Sequence, residues 1–173
     1  EMLRRVDALM RELHAGNNHA GTASWSRAVW GGTFHATAAR LLRVHAPSAG
    51  LEPDFTILDR SDSEDLMDVA RTELALSKTD KRFPRKSTCL AIYSHCVNSQ
   101  SPLEDILTGH YPWCREHAGD LKRLFLAYGN RKEQGAILDY DDLLLFWRGL
   151  LADQQVGDRI RSRFDCVLVD EYQ

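Results

Sequence analysis

The sequence predicts an α/β chain, mostly helical overall, in which an all-helical segment is inserted between two strands of one sheet. Three observations predict it. Near the end of the chain Cys166, Val167, Leu168 and Val169 run without interruption into Asp170 and Glu171, the pattern of a strand covered on both faces in a parallel sheet. Near the start, "RAVWGGTFH" reads as a strand ending at a sharp turn, and "ATAARLLRVHA" follows it as a helix. Between Leu51 and Gly135 the apolar residues recur at helical spacing, with helix-start signals between them.

The totals fit such a chain. Its 173 residues, 43% apolar and 27% charged, suit one domain carrying a small subdomain. The net charge of −3, from 22 basic and 25 acidic residues, argues against a basic nucleic-acid coat protein. It leaves room for a local basic groove, because nearby charges matter more than the sum. No apolar run is long enough to span a membrane, and no signal-peptide pattern is present. Cys89, Cys96, Cys114 and Cys166 are scattered without C-x-x-C spacing, so the chain reads as reduced and cytoplasmic.

Taken in order, Met2, Val6, Leu9, Met10 and Leu13 share one face of a helix over residues 1–14, followed by the polar loop "AGNNHAGTAS". The chain opens inside that helical pattern and stops on its acids, which reads as a fragment cut at both ends. In the second helix Ala38, Leu41, Leu42 and His45 lie on one side, and Pro47 and Gly50 stop it. Ser61 to Glu64 and Ser101 to Glu104 each match a capping box, the second with Pro102 at the first helical position. Met67, Ala70 and Leu74 mark one helix, Leu90, Tyr93 and Val97 the next, and Leu121, Leu124, Phe125 and Tyr128 a third that ends near Gly135. Asp139 and Asp142 bracket the start of the apolar helix "YDDLLLFWRGLL", with Asp142 in its first turn, where negative charge suits the helix dipole. A short helical turn, "DRIRSRF", leads to the last strand.

An apolar strand that delivers two acids at its carboxyl end is the Walker B arrangement. In open α/β sheets ligands bind beyond the carboxyl ends of the strands. The first acid can hold Mg²⁺ beside nucleotide phosphates, and the second can orient and deprotonate water. Alone, the pattern also fits two exposed acids in a loop after a core strand. The extension through Tyr172 and Gln173 is more specific. "VLVDEYQ" resembles motif II of the UvrD/Rep/PcrA group of superfamily 1 DNA helicases. "GTFHATAARLLRVHA" resembles that family's Thr-Phe-His motif, "EPDFTILD" the segment before its inserted subdomain, "ILDYDDLL" an element ahead of motif II, and "EMLRRV" the tail of motif Ia.

The resemblance implies a RecA-like P-loop NTPase domain (1A) holding an inserted helical subdomain (1B). It divides the chain into residues 1–50 in 1A, 51–135 in 1B and 136–173 returning to 1A at Walker B. It implies ATP and Mg²⁺ as cofactors, with Asp170 associated with the metal, Glu171 activating water and Gln173 organising the site near the terminal phosphate. It implies that Thr33, Phe34 and His35 line a single-stranded DNA path, and that the intact enzyme moves 3′ to 5′ and opens duplex at a single-strand/double-strand junction. Without the resemblance, Phe34 reads as a core residue at a strand end. Ala36 and Thr37 stand where the family often has serine and a bulky residue, so a hydroxyl contact at position 36 is lost. The family's Gly-Lys-Thr/Ser phosphate loop is not among these residues, so the chain alone is expected to be inactive. Two other readings remain: the helicase part of an AddA/RecB-like helicase–nuclease, and a non-enzymatic 1B-like DNA-binding or interaction module. Protein partners and pathway are not legible.

Lys78, Lys81, Arg82, Arg85 and Lys86, with Phe83 among them, read either as phosphate contacts or as a solvated loop. Lys122, Arg123, Arg131 and Lys132 read as a solvent-facing group. His95, Cys96, His110, Cys114 and His117 match no common zinc spacing. Trp25, Trp30, Trp113 and Trp147 read as packing residues, Trp147 on the apolar helix.

Overall fold

The computed structural model describes Arg4, Arg5, Ala8, Glu12 and residues 29–76 and 83–170. The four early positions are helical; the rest of the helix expected over 1–14, the loop after it and Trp25 lie outside the described residues.

The ordered elements are α1 (Phe34–Val44), a 3₁₀ turn (Ala46–Ala49), β1 (Thr56–Ile57), α2 (Arg60–Glu73), α3 (Lys86–Ser99), α4 (Leu103–Gly109), a second 3₁₀ turn (Pro112–His117), α5 (Ala118–Gln134), β2 (Ile137–Leu138), α6 (Tyr140–Ala152) and α7 (Gln154–Arg161). The chain is therefore mostly helical around a small parallel sheet. Thr56 pairs with Ile137 and Ile57 with Leu138. The Thr56 and Leu58 amides donate to the Ala136 and Leu138 carbonyls, each at 2.9 Å. Parallel strands need a long crossover, and here that crossover is the whole run α2 to α5.

Among the described residues two apolar cores follow from this layout. One forms inside the crossover around Met67, Ile92, Leu107, Leu121, Leu124 and Tyr128. The other joins Leu41 and Leu42 of α1, Phe55 before β1, Leu138 of β2, Leu143 of α6 and Ile160 of α7. Burial of each such large side chain contributes roughly 1.5–3 kcal/mol.

Several elements differ from the sequence reading. No strand precedes α1 among the described residues. The helix begins at Phe34, and Thr33 is its N-cap, its Oγ1 accepting from the Ala36 amide at 3.2 Å. The Thr-Phe-His run thus starts a helix, because the threonine hydroxyl supplies one of the bonds that the first turn lacks. α1 ends at His45, and Gly50 closes the 3₁₀ turn with φ of 69°, a left-handed conformation that glycine adopts without strain.

α2 is capped two residues earlier than expected: Asp59 Oδ1 accepts from the Asp62 amide at 2.9 Å. Its position directly after β1 places it where the chain turns into the helix, ahead of Ser61. At α4 the expected box does not form. Pro102 is the N-cap and makes no side-chain bond, and Ser101 Oγ instead donates back to the Ser99 carbonyl at 3.4 Å. α7 is a full helix over Gln154–Arg161, capped by Asp153, rather than a turn beginning at Asp158.

The expected strand over 166–169 is absent. These residues join no ladder, and Leu168 is 91% exposed. A strand needs backbone partners alongside, and among the described residues the two strands pair only with each other. The apolar run has the composition of a buried strand but no described neighbour to bury it.

Candidate functional site

The described residues implicated in the DNA path and the nucleotide site lie at the start of α1 and near residue 170. At the start of α1, Thr33 is exposed and committed to its capping bond. Phe34 is 54% exposed, with its ring 6.4 Å from that of Trp147 on α6. His35 lies 5.1 Å, ring to ring, from Tyr140 at the first position of α6. Phe34 is thus a surface aromatic, not the core residue that a strand end would make of it. At the other end, Asp170 is exposed at the close of the apolar run. Glu171 and Gln173 lie outside the described residues.

The lead-ins to the two places touch. Trp30, ahead of α1, meets Phe164, ahead of the apolar run, edge to face at 5.2 Å. The Arg40 guanidinium sits 3.8 Å from the Trp30 ring centre and that of Arg163 at 5.2 Å. Trp30 and Phe164 hold the two segments together by aromatic packing and cation–π attraction. Trp113, by contrast, is 68% exposed and does not fill a core: its 3₁₀ turn buries Cys114 and His117 instead.

The basic groups separate. Lys78, Lys81 and Arg82 lie outside the described residues. Arg85 is an exposed N-cap of α3, and Lys86 pairs with Asp65 of α2. Phe83 is buried, its ring edge-on to His117 at 5.2 Å, so it is a packing residue. In the second group Lys122 pairs with Glu104, Arg123 with Asp120 and Arg131 with Glu73. Among the described residues no three histidine, cysteine or acidic side chains converge on a point where a metal could bind.

Lys132 is the clearest correction. It is 5% exposed. Its ammonium donates to Asp142 Oδ2 at 2.6 Å, to Asp139 Oδ2 at 2.7 Å and to the Tyr93 hydroxyl at 3.3 Å. Tyr128 donates to the same Asp139 oxygen at 2.9 Å. The two aspartates also complete a reciprocal capping box on α6, through the Asp142 amide to Asp139 and the Asp139 amide to Asp142. A signal for this was present: Lys132 continues the buried α5 stripe of Leu121, Leu124 and Tyr128 at helical spacing.

Burial pulls the Lys132 ammonium down, but Asp142 and Asp139 together outweigh it and raise it above the usual lysine range. Burial acts against the charge on Asp139 too, yet Lys132 and the amide and hydroxyl donors hold its carboxyl below the ordinary value. Asp142 moves up, through burial and the charge on Asp139. Burial also raises the Tyr93 and Tyr128 hydroxyls, and the Cys89 thiol from 9.0 to about 12.

A pH prediction follows. Cys89, Tyr93, Tyr128 and Lys132 all bind their protons more tightly in the folded chain. Their contributions are complete below the unfolded pKa values and are lost as pH rises through the folded ones. Stability should fall above about pH 9, where unfolded cysteine begins to ionise, and more steeply above about pH 10, with each group adding up to about 1.4 kcal/mol per pH unit. Urea midpoints measured from about pH 8 to 11 test this. Cys89→Ala should flatten the first part of the fall, and a midpoint constant across the range would contradict it.

The class of protein emerges from comparison with known families. The UvrD/REP helicase N-terminal domain matches residues 1–173. DNA helicase II of Haemophilus influenzae is 33% identical over 147 residues, covering 84% of this chain and 19% of that protein. ATP-dependent DNA helicase UvrD1 of Mycobacterium leprae is 31% identical over 175 residues, covering 100% of this chain and 21% of that protein. DNA helicase II of Escherichia coli is 29% identical over 183 residues, covering 100% and 22%. This chain belongs to the UvrD/REP helicase family, and it spans about a fifth of the length of these relatives. Among the described residues no helix is long and apolar enough to cross a membrane.

Proposed function

We propose that the chain is the part of an ATP-dependent DNA helicase that runs from the tail of motif Ia to Walker B. The observation that carries this reading is the Asp170-Glu171-Tyr172-Gln173 run at the close of a chain matched by the family along residues 1–173. On this reading residues 1–50 and 136–173 belong to a RecA-like domain and residues 51–135 to its helical insertion. The separate apolar cores, one inside the crossover α2–α5 and one around the strand pair, support a helical insertion, with Leu51, Phe55 and Ile57 packed on the strand-pair side of it.

Asp170 offers one exposed carboxylate. That is the oxygen donor Mg²⁺ takes from protein when phosphates and water complete its shell. Bound there with ATP, the ion would neutralise charge on the phosphates. Glu171 would orient and deprotonate the attacking water, and Gln173 would organise the site near the terminal phosphate. Thr33, Phe34 and His35 would face single-stranded DNA, with exposed Phe34 available for base stacking. Exposed Arg85 is available to a phosphate, as Lys81 and Arg82 would be, whereas Lys86 would first have to leave Asp65. The direction of travel, 3′ to 5′, and action at a single-strand/double-strand junction come with the family resemblance.

The test is DNA-stimulated ATP hydrolysis by the full-length protein. Glu171→Gln should lower turnover by about 10²–10⁴-fold while leaving ATP binding intact. Full turnover in that variant would refute the assignment. The isolated 173-residue chain, lacking the phosphate loop, should show no turnover.

A further inference from the structure

The buried polar side chains among the described residues are Ser63, His117, Lys132, Asp139 and Asp142. All but His117 lie at the neck where the crossover leaves and rejoins the strand pair. β1 runs through Leu58 into Asp59, the cap of α2, and β2 runs into Asp139, the cap of α6. Ser63 Oγ donates to the Asp59 carbonyl at 2.7 Å. Tyr128 and Lys132, both on α5, grip Asp139 and Asp142. Nearby, Asn98 of α3 donates to Asp141 of α6 at 2.8 Å. Buried polar groups therefore sit at both connections between the two apolar cores, and those of α5 bridge to α6.

Apolar contacts are non-directional and permit two cores to slide or tilt against each other. A buried ammonium held by two carboxylates has few alternative geometries, since any displacement leaves charge unpaired away from water. We propose that Lys132 is a positioning residue: it fixes the orientation of the helical crossover α2–α5 relative to the strand pair and α6, and thereby couples ATP turnover to strand separation. The coupling clause rests on the helicase reading; the orientation clause does not.

The experiment uses full-length protein with its exposed native cysteines replaced and spin labels attached through Val44→Cys on α1 and Leu126→Cys on α5, both positions exposed. Lys132→Met alone strands two buried carboxylates and can unfold the chain. The decisive variant is therefore the neutral triple Lys132→Met/Asp139→Asn/Asp142→Asn, in which asparagine still caps α6. The label-to-label distance distribution should broaden in this variant with helix content unchanged. Duplex unwound per ATP should fall at least about five-fold, with DNA-stimulated hydrolysis retained within about two-fold. A folded triple variant with an unchanged distribution overturns the proposal. A broadened distribution with unwinding and hydrolysis reduced by the same factor overturns the coupling clause. Absence of DNA-stimulated hydrolysis in the unsubstituted protein would sink the helicase reading and the coupling clause with it, while the distance distribution would still decide the orientation clause.

Discussion

Replacing Lys132 with alanine should destabilise the chain by about 3–5 kcal/mol. The side chain is almost fully buried, and its nitrogen neutralises two aspartates at 2.6 and 2.7 Å. Deleting it leaves Asp139 and Asp142 facing each other inside the protein with only backbone amides and one tyrosine hydroxyl as partners. Domains of this kind are stable by only about 5–15 kcal/mol, so the loss is a large fraction of the whole. In a chain of this size it corresponds to a fall in melting temperature of roughly 6–20 °C. Adding Asp142→Asn to Lys132→Ala should recover part of the loss, because the second substitution removes one stranded charge. Thermal unfolding of the single and double variants measures both effects. A loss below about 1 kcal/mol would mean that the site is hydrated like a surface ion pair.

The same cluster shows what a sequence discloses. The place of Asp139 and Asp142 at the start of α6 was legible because it is local, two acids three residues apart around the start of an apolar helical run, although only the helix-dipole role of Asp142 was read and not the reciprocal cap. Lys132 was not legible, although it continues the buried stripe of α5, because a lysine between Arg131 and Glu133 reads as solvent-facing until its partners beyond β2 are placed. The error at 166–169 has the opposite cause. The residues have strand composition, but strand formation depends on backbone partners that composition cannot supply, and none runs beside them among the described residues. Asp59 was overlooked in favour of Ser61 because both are good caps within two residues of each other; the end of β1 decides between them. The recognition run Asp170 to Gln173 was readable letter by letter. Its geometry could not be read, since a nucleotide site needs a phosphate loop that these residues do not include.

The two phenylalanines of this region make a second large-effect prediction, because burial assigns them opposite roles. Phe55 is 2% exposed and packs in the core that joins α1 to β2, α6 and α7. Arg43 covers its ring at 4.5 Å and donates to the Pro53 and Phe55 carbonyls at 3.1 and 3.2 Å. Phe55→Ala should therefore cost about 3–5 kcal/mol, through lost transfer energy and the cavity left under the guanidinium. Phe34, 54% exposed, has little core to lose, and Phe34→Ala should change stability by no more than about 0.5 kcal/mol. If Phe34 stacks on a base, the same substitution in the full-length protein should weaken binding to an oligothymidine by about 1–3 kcal/mol, or roughly 5–150-fold. Urea unfolding and fluorescence anisotropy separate the two effects. A destabilising Phe34→Ala with unchanged DNA affinity would return Phe34 to a packing role and leave the start of α1 without a nucleic-acid contact from that ring.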